Sequence, residues 1–129
     1  MRAMLLRRIV SLREVEEPLD FVDDLPVPEP QHGELLVRIT ACGVCHTELD
    51  EIEGRTAPPA LPIVPGHEVA GVVERVGEGI SQRQVGDRVG VGWIHSSSGD
   101  REENLSDEFR ATGRDVNGGY AEYMTVPES

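Results

Sequence analysis

Glu34-Leu35-Leu36-Val37-Arg38-Ile39-Thr40-Ala41-Cys42-Gly43-Val44-Cys45-His46-Thr47-Glu48-Leu49 is the stretch on which the fold turns. Leu35, Val37, Ile39 and Ala41 alternate with Leu36, Arg38 and Thr40, the period-two pattern of a half-buried strand. The pattern stops at Gly43. His46 to Glu53 then reads as a short helix: Leu49 and Ile52 share a face, acidic side chains sit in the first turns, and Gly54 can cap the C-terminus. Outward from this segment, Val69 to Val76 forms a strand that ends at Gly77-Glu78-Gly79, and Gly86-Asp87 introduces another over Arg88 to Val91. Tyr120 to Val126 gives a last strand after the turn residues Asn117-Gly118-Gly119. Pro58-Pro59-Ala60-Leu61-Pro62 imposes an extended path into Pro65-Gly66-His67. The polar stretch from His95 to Gly113 reads as an exposed excursion with room for one helical turn. Short strands separated by turn residues, without helix-strand alternation, predict a mostly β protein, a small sandwich or barrel of antiparallel strands.

The 129 residues make one domain with enough chain for a real core. No apolar run approaches the ~18 residues of a membrane helix, and Arg7 and Arg8 interrupt Met1-Arg2-Ala3-Met4-Leu5-Leu6 before it could serve as a signal-peptide core. The expectation is an edge strand at the N-terminus of a cytoplasmic protein with no membrane partner. Asp and Glu number 24 against 12 basic residues, all of them Arg, for a net charge of -12 that would repel a phosphate backbone. Nucleic acid is therefore a poor partner. The absence of Lys excludes Schiff-base chemistry and a phosphate loop of the Gly-Lys-Ser/Thr type. The acidic runs Glu14 to Asp24 and Asp100 to Glu108 read as solvated loops.

Both cysteines lie in Cys42-x-x-Cys45, which does not suggest a secreted disulfide framework. The spacing alone leaves three readings open: two ligands of a zinc knuckle, a redox dithiol, or small packed side chains. Some twenty residues on, Pro65-Gly66-His67-Glu68-Val69-Ala70-Gly71 adds an imidazole and a carboxylate. A thiolate with an imidazole is a ligand set that zinc favours, and a catalytic zinc needs three protein ligands with one position open.

Gly43-Val44-Cys45-His46-Thr47 and Gly66-His67-Glu68, followed by Val85-Gly86-Asp87-Arg88-Val89 and Gly118-Gly119-Tyr120-Ala121-Glu122-Tyr123, closely resemble the medium-chain zinc-dependent alcohol dehydrogenases. The resemblance runs from near Met1 almost to Ser129. It implies a GroES-like, partly open β-barrel with one or two short helices, the catalytic domain of such an enzyme. By the same resemblance Cys45 is the zinc thiolate, His67 the zinc imidazole, and Glu68 a carboxylate that can approach the metal, while the residue at Cys42 is usually not a ligand. Thr47 occupies the place of the hydroxyl that relays the alcohol proton, and as a sequence feature it could equally be a helix N-cap. His46 stands where a basic side chain faces the cofactor pyrophosphate. Glu48 replaces the Asp more often seen as hydrogen-bond acceptor for a zinc-bound imidazole. In the family, zinc acts as a Lewis acid on the alcohol oxygen and hydride passes to or from NAD(P).

The departures from the family pattern set further expectations. The cofactor lies on a separate Rossmann domain in the family. Here the nearest thing to its glycine fingerprint, Gly77-Glu78-Gly79-Ile80-Ser81-Gln82, ends in Gln and reads as a turn, so no cofactor-binding residues are assigned. The third protein ligand of the catalytic zinc belongs near the junction with that domain. Many members also carry a lobe with four cysteines around a structural zinc. The segment between Trp93 and Gly113 looks shortened, with Ser98 and Ser106 near the first and last cysteine positions, and implies no structural zinc. Two functions follow: an isolated catalytic domain with a partial zinc site, inactive alone as a dehydrogenase for want of its Rossmann partner, or an engineered, metal-free scaffold derived from it. A homodimer through the exposed barrel edge is expected of either.

Overall fold

A computed structural model describes residues 1–128. The elements in chain order are β1 (Ala3–Leu5), β2 (Asp20–Val22), β3 (Glu34–Cys42), α1 (His46–Ile52), β4 (Val69–Val76), β5 (Arg88–Val91), β6 (Ile94–Ser96), a 3-10 turn (Glu103–Leu105), β7 (Arg110–Ala111) and β8 (Tyr123–Pro127). Four strands form the central antiparallel sheet in the order β5-β4-β3-β8, and β1-β2 and β6-β7 form two smaller antiparallel pairs. The sheets do not close on one another, so the molecule is the partly open, mostly β barrel that the sequence implies.

Leu35 and Val37 on β3, Val69 and Val73 on β4, and Met124 and Val126 on β8 make the main core, with Ile80 and Val89 packed against it. A second cluster ties Ala3 and Leu5 to Val64, and a third ties Leu6 to Ile52 and Ile63. Through these two clusters the N-terminal strand and the Pro-rich connection hold α1 against the barrel. Two backbone bonds between Leu6 and Ile63, at 2.8 and 3.0 Å, fasten the same contact.

Three sequence expectations need correction. The strict alternation along β3 fails at its end: a register shift falls between Ile39 and Ala41, leaving Ala41 exposed and turning Cys42 toward the main core. A bulge inserts one unpaired residue and so reverses the facing of those beyond it. Leu36, expected on the outer face, is 1% exposed, and a second register shift against β4 falls between it and Val37. The last strand begins at Tyr123 rather than Tyr120. Tyr120 to Glu122 instead bond the N-terminus and β3, the carbonyl of Tyr120 accepting from Met4 at 2.8 Å and that of Glu122 from Ile39 at 2.9 Å.

The helix runs from His46 to Ile52, with Glu53 as C-cap and Gly54 just beyond it at φ +82°. That left-handed conformation suits glycine. Excision of the Met124 side chain, 2% exposed between β3 and the core, is expected to cost about 2–5 kcal/mol. Urea unfolding of Met124→Ala checks this, with Phe21→Ala, at a 64% exposed position, as a control within about 0.5 kcal/mol of the parent.

Candidate metal centre

Strand pairing brings the two motifs together. Cys42 at the end of β3 lies opposite Val69 at the start of β4, and the Gly43 amide donates to the Glu68 carbonyl at 2.8 Å. The chain between this last rung and its partner, residues 43–68, is one excursion containing α1 and the Pro-rich segment. Cys45 and His67 are therefore each within a few residues of the same rung. Gly43 lies close against Glu68: a Cβ there would stand 2.4 Å from Oε2 and displace the carboxylate.

The ligand atoms of Cys45, His67 and Glu68 lie within 4.8 Å of one another. Zinc bonds of 2.0–2.3 Å in tetrahedral geometry place neighbouring ligand atoms about 3.5 Å apart, so closure by about 1 Å brings the three onto one ion. The donor set of sulfur, imidazole nitrogen and carboxylate oxygen fits zinc.

Glu48 fixes the imidazole. Its Oε2 accepts the backbone N–H of Cys45 at 2.8 Å, and its Oε1 lies 2.8 Å from His67 Nδ1. Oε1 is buried and meets the criteria of no hydrogen bond among the described residues, the imidazole being the polar group that faces it; a proton on Nδ1 would leave the Nε2 lone pair for a metal. The carboxylate is 2% and His67 7% exposed. The longer Glu in place of Asp thus reaches the histidine while still satisfying the first turn of the helix.

The remaining sequence-predicted residues fall around this centre. Thr47 Oγ1 is 3.5 Å from Cys45 Sγ. Cys45 itself takes the N-cap position, so Thr47 is inside the helix and is not its cap. His46 points away from the cluster, with a 77% exposed side chain 3.7 Å from Asp50. Cys42 stays apart: burial pushes its thiol pKa up against the opposing effect of a backbone hydrogen bond at Glu68, with the charges of Glu48 and Glu68 adding to the rise, and Gly66 and Gly119 pack against its sulfur so closely that a Cβ at either would stand within 2.9 Å. Its role is packing.

Sequence reading missed the cavity beside the centre. About 400 Å³ in volume, it is lined by His67 and Thr47, by Trp93, Phe109 and Ala111 as apolar wall, and by Glu51, Thr112 and Arg114. The rings of Trp93 and Phe109 are 5.3 Å apart and tilted by 57°, so the excursion between Trp93 and Gly113 folds back as a wall of the cavity. Glu51 is 2% exposed, and burial, reinforced by the nearby Glu48 and opposed by Arg114, pushes its carboxyl up to about 7. The available signal was the spacing Glu48, Glu51, Ile52, which is i, i+3, i+4 and puts both acids on the buried face with the isoleucine.

Glu51 binds its proton more tightly folded than unfolded. Its contribution is therefore fully present below the ordinary value of 4.5 and is lost as pH rises to about 7. Without metal, Glu51→Gln is expected to match the parent at pH 4 and to exceed it by about 3 kcal/mol at pH 8. Urea titrations at the two pH values check the difference; equal stability at both would contradict a proton-holding Glu51.

The profile of the alcohol dehydrogenase GroES-like domain matches residues 31–129. An alcohol dehydrogenase of Geobacillus stearothermophilus is 43% identical over 119 residues, 87% of this chain, and a second from the same organism is 39% identical over 128 residues, 94% of this chain. The chain spans 35% of the length of each of these relatives. Among solved structures, an NAD-dependent alcohol dehydrogenase superposes with a TM-score of 0.85 at 33% identity, covering 99% of this chain and 38% of that one. The cobalt- and zinc-bound thermostable alcohol dehydrogenase of Pyrobaculum aerophilum superposes with a TM-score of 0.83 at 30% identity, covering 98% of this chain and 39% of that one. The chain therefore belongs to the zinc-dependent alcohol dehydrogenase family, whose N-terminal GroES-like domain it forms.

Proposed function

We propose that this chain is the metal-holding, alcohol-binding part of an alcohol dehydrogenase reaction, with Cys45, His67 and Glu68 as zinc ligands. The observation that carries the reading is the buried Glu48–His67 contact of 2.8 Å, which presents one imidazole nitrogen to the point where a thiol and a carboxylate converge. Zinc, when bound, supplies Lewis acidity toward an alcohol or carbonyl oxygen. The chain's own groups do the rest. Thr47, on the lining next to His67, receives the alcohol proton at Oγ1 and passes it outward. His46, exposed at the helix start, meets the pyrophosphate of NAD(P) held by a Rossmann domain. Trp93 and Phe109 exclude water from the carbon chain of the substrate.

Hydride transfer needs the nicotinamide at contact distance, and no residue of this chain is assigned to hold it. The chain by itself is accordingly inactive as a dehydrogenase and acts with a Rossmann partner. We place it in the cytoplasm; no helix among the described residues is long and apolar enough to cross a membrane. The open edge of β5 and the exposed Phe21, Val44 and Leu105 favour a homodimer.

Elemental analysis after zinc loading and removal of loose metal is expected to give about one zinc per chain, lost in His67→Ala and Cys45→Ser, with affinity lowered about 10–100-fold in Glu48→Ala. Absence of zinc from the parent would leave the metal-free scaffold as the function. Sedimentation equilibrium is expected to show a concentration-dependent dimer; a monomer at every concentration would rule out self-association.

A further inference from the structure

We propose that the cavity beside the metal centre selects alcohols that carry a second hydroxyl, and that Glu51 and Thr112 are the residues that receive it. The inference rests on the zinc-and-alcohol reading above and adds the substrate class.

Two residues of this lining each carry a buried polar atom with no hydrogen-bond partner among the described residues: Glu51, 2% exposed, at Oε2, and Thr112, 1% exposed, at Oγ1. Such atoms are rare in folded proteins and unfavourable unless something meets them. They come from separate elements, Glu51 from α1 and Thr112 from the residue after β7. Their convergence on one cavity is therefore made by the tertiary fold and not by a local turn. The same cavity reaches His67 and Thr47, so a molecule whose reacting oxygen lies at the metal centre has Glu51 and Thr112 along its other wall.

The two atoms specify what satisfies them. A carboxyl group accepts whether or not it holds its proton, and a threonine hydroxyl both donates and accepts. A ligand hydroxyl complements both, donating to Glu51 and accepting from Thr112. A neutral hydroxyl meets both groups without adding charge to a lining that already holds Arg55 and Arg114. A simple alkyl alcohol fills the apolar wall of Trp93, Phe109 and Ala111 but leaves both polar atoms unmet. A site built to bond a hydroxyl rejects the analogue that lacks it.

Trp93 is the single tryptophan and lies on the lining, so its fluorescence reports occupancy without cofactor or turnover. The zinc-loaded chain is titrated with n-butanol, the isomeric butanediols and aminobutanol. At least one diol is expected to bind about tenfold tighter than n-butanol, equivalent to about 1.4 kcal/mol. Glu51→Leu and Thr112→Val should each bring that ratio near one. Both substitutions remove an unpartnered buried polar atom and should retain the fold, checked by circular dichroism and zinc content; Glu51→Gln, which keeps shape and an acceptor, serves where Leu unfolds and should lower the ratio less. Equal affinity for n-butanol and every diol, tighter binding of aminobutanol, or no response to any alcohol would each overturn the inference while retained zinc leaves the metal centre standing. Failure of the parent to hold zinc would overturn both.

Discussion

Everything at the candidate centre depends on one carboxylate. Glu48 is 2% exposed, and its two oxygens address different parts of the chain, one the Cys45 amide and the other the His67 imidazole. The first contact begins the helix at Cys45; the second ties that helix start to the connection entering β4. Taking a carboxylate out of water is costly unless its oxygens are met. A backbone donor meets one oxygen and the His67 imidazole lies 2.8 Å from the other, and the same two contacts set His67 in place relative to Cys45. Structure and chemistry are thus not separable at this residue.

The sheet supplies the rigidity behind that contact. Cys42 pairs with Val69, and Val37 and Val73, buried in the same pair of strands, anchor both in the main core. Sites carried close to a paired rung inherit its precision, whereas loops carried far from one do not. Here the carbonyl of Glu68 is itself bonded into the rung through Gly43, while its side chain projects toward the cluster. The excursion from Trp93 to Gly113 has a looser frame, two short strands and a pair of aromatic rings, and it forms the wall that differences in substrate would most easily reshape.

The fold was largely legible because it is written in local signals: the Val69 to Val76 strand agrees residue for residue, and the helix bounds agree within a residue of the cap. The bulge after Ile39 was not legible, since an inserted residue costs the pattern only one misplaced side chain, Ala41, and alanine fits either face. Cys45, His67 and Glu68 could be singled out in the sequence, but their convergence comes from the Cys42–Val69 register, a pairing across the sequence that no local pattern carries. Glu51 was hidden for a different reason. In a chain with 24 acidic residues a carboxylate on a helix reads as solvated, and the face that Glu51 shares with Ile52 becomes decisive once Ile52 is seen packed with Ile63 and Leu6.

That covered face has a consequence for the energetics of the whole domain. Glu48 and Glu51 lie on it together, and the titration of Glu51 is displaced upward first by burial and then by the charge of Glu48. Arg114 offsets part of this, but its guanidinium is also engaged with Asp115 and the Thr56 carbonyl. The uncomplexed domain therefore carries an electrostatic load concentrated at its centre, next to a thiol and a third carboxylate on Glu68. A divalent cation held at that point would interact favourably with each of these groups in a region of low dielectric. Ligand binding that favours the folded chain stabilises it by mass action. If the centre holds zinc as proposed, the instability of the metal-free cluster and its affinity for the ion have the same physical origin.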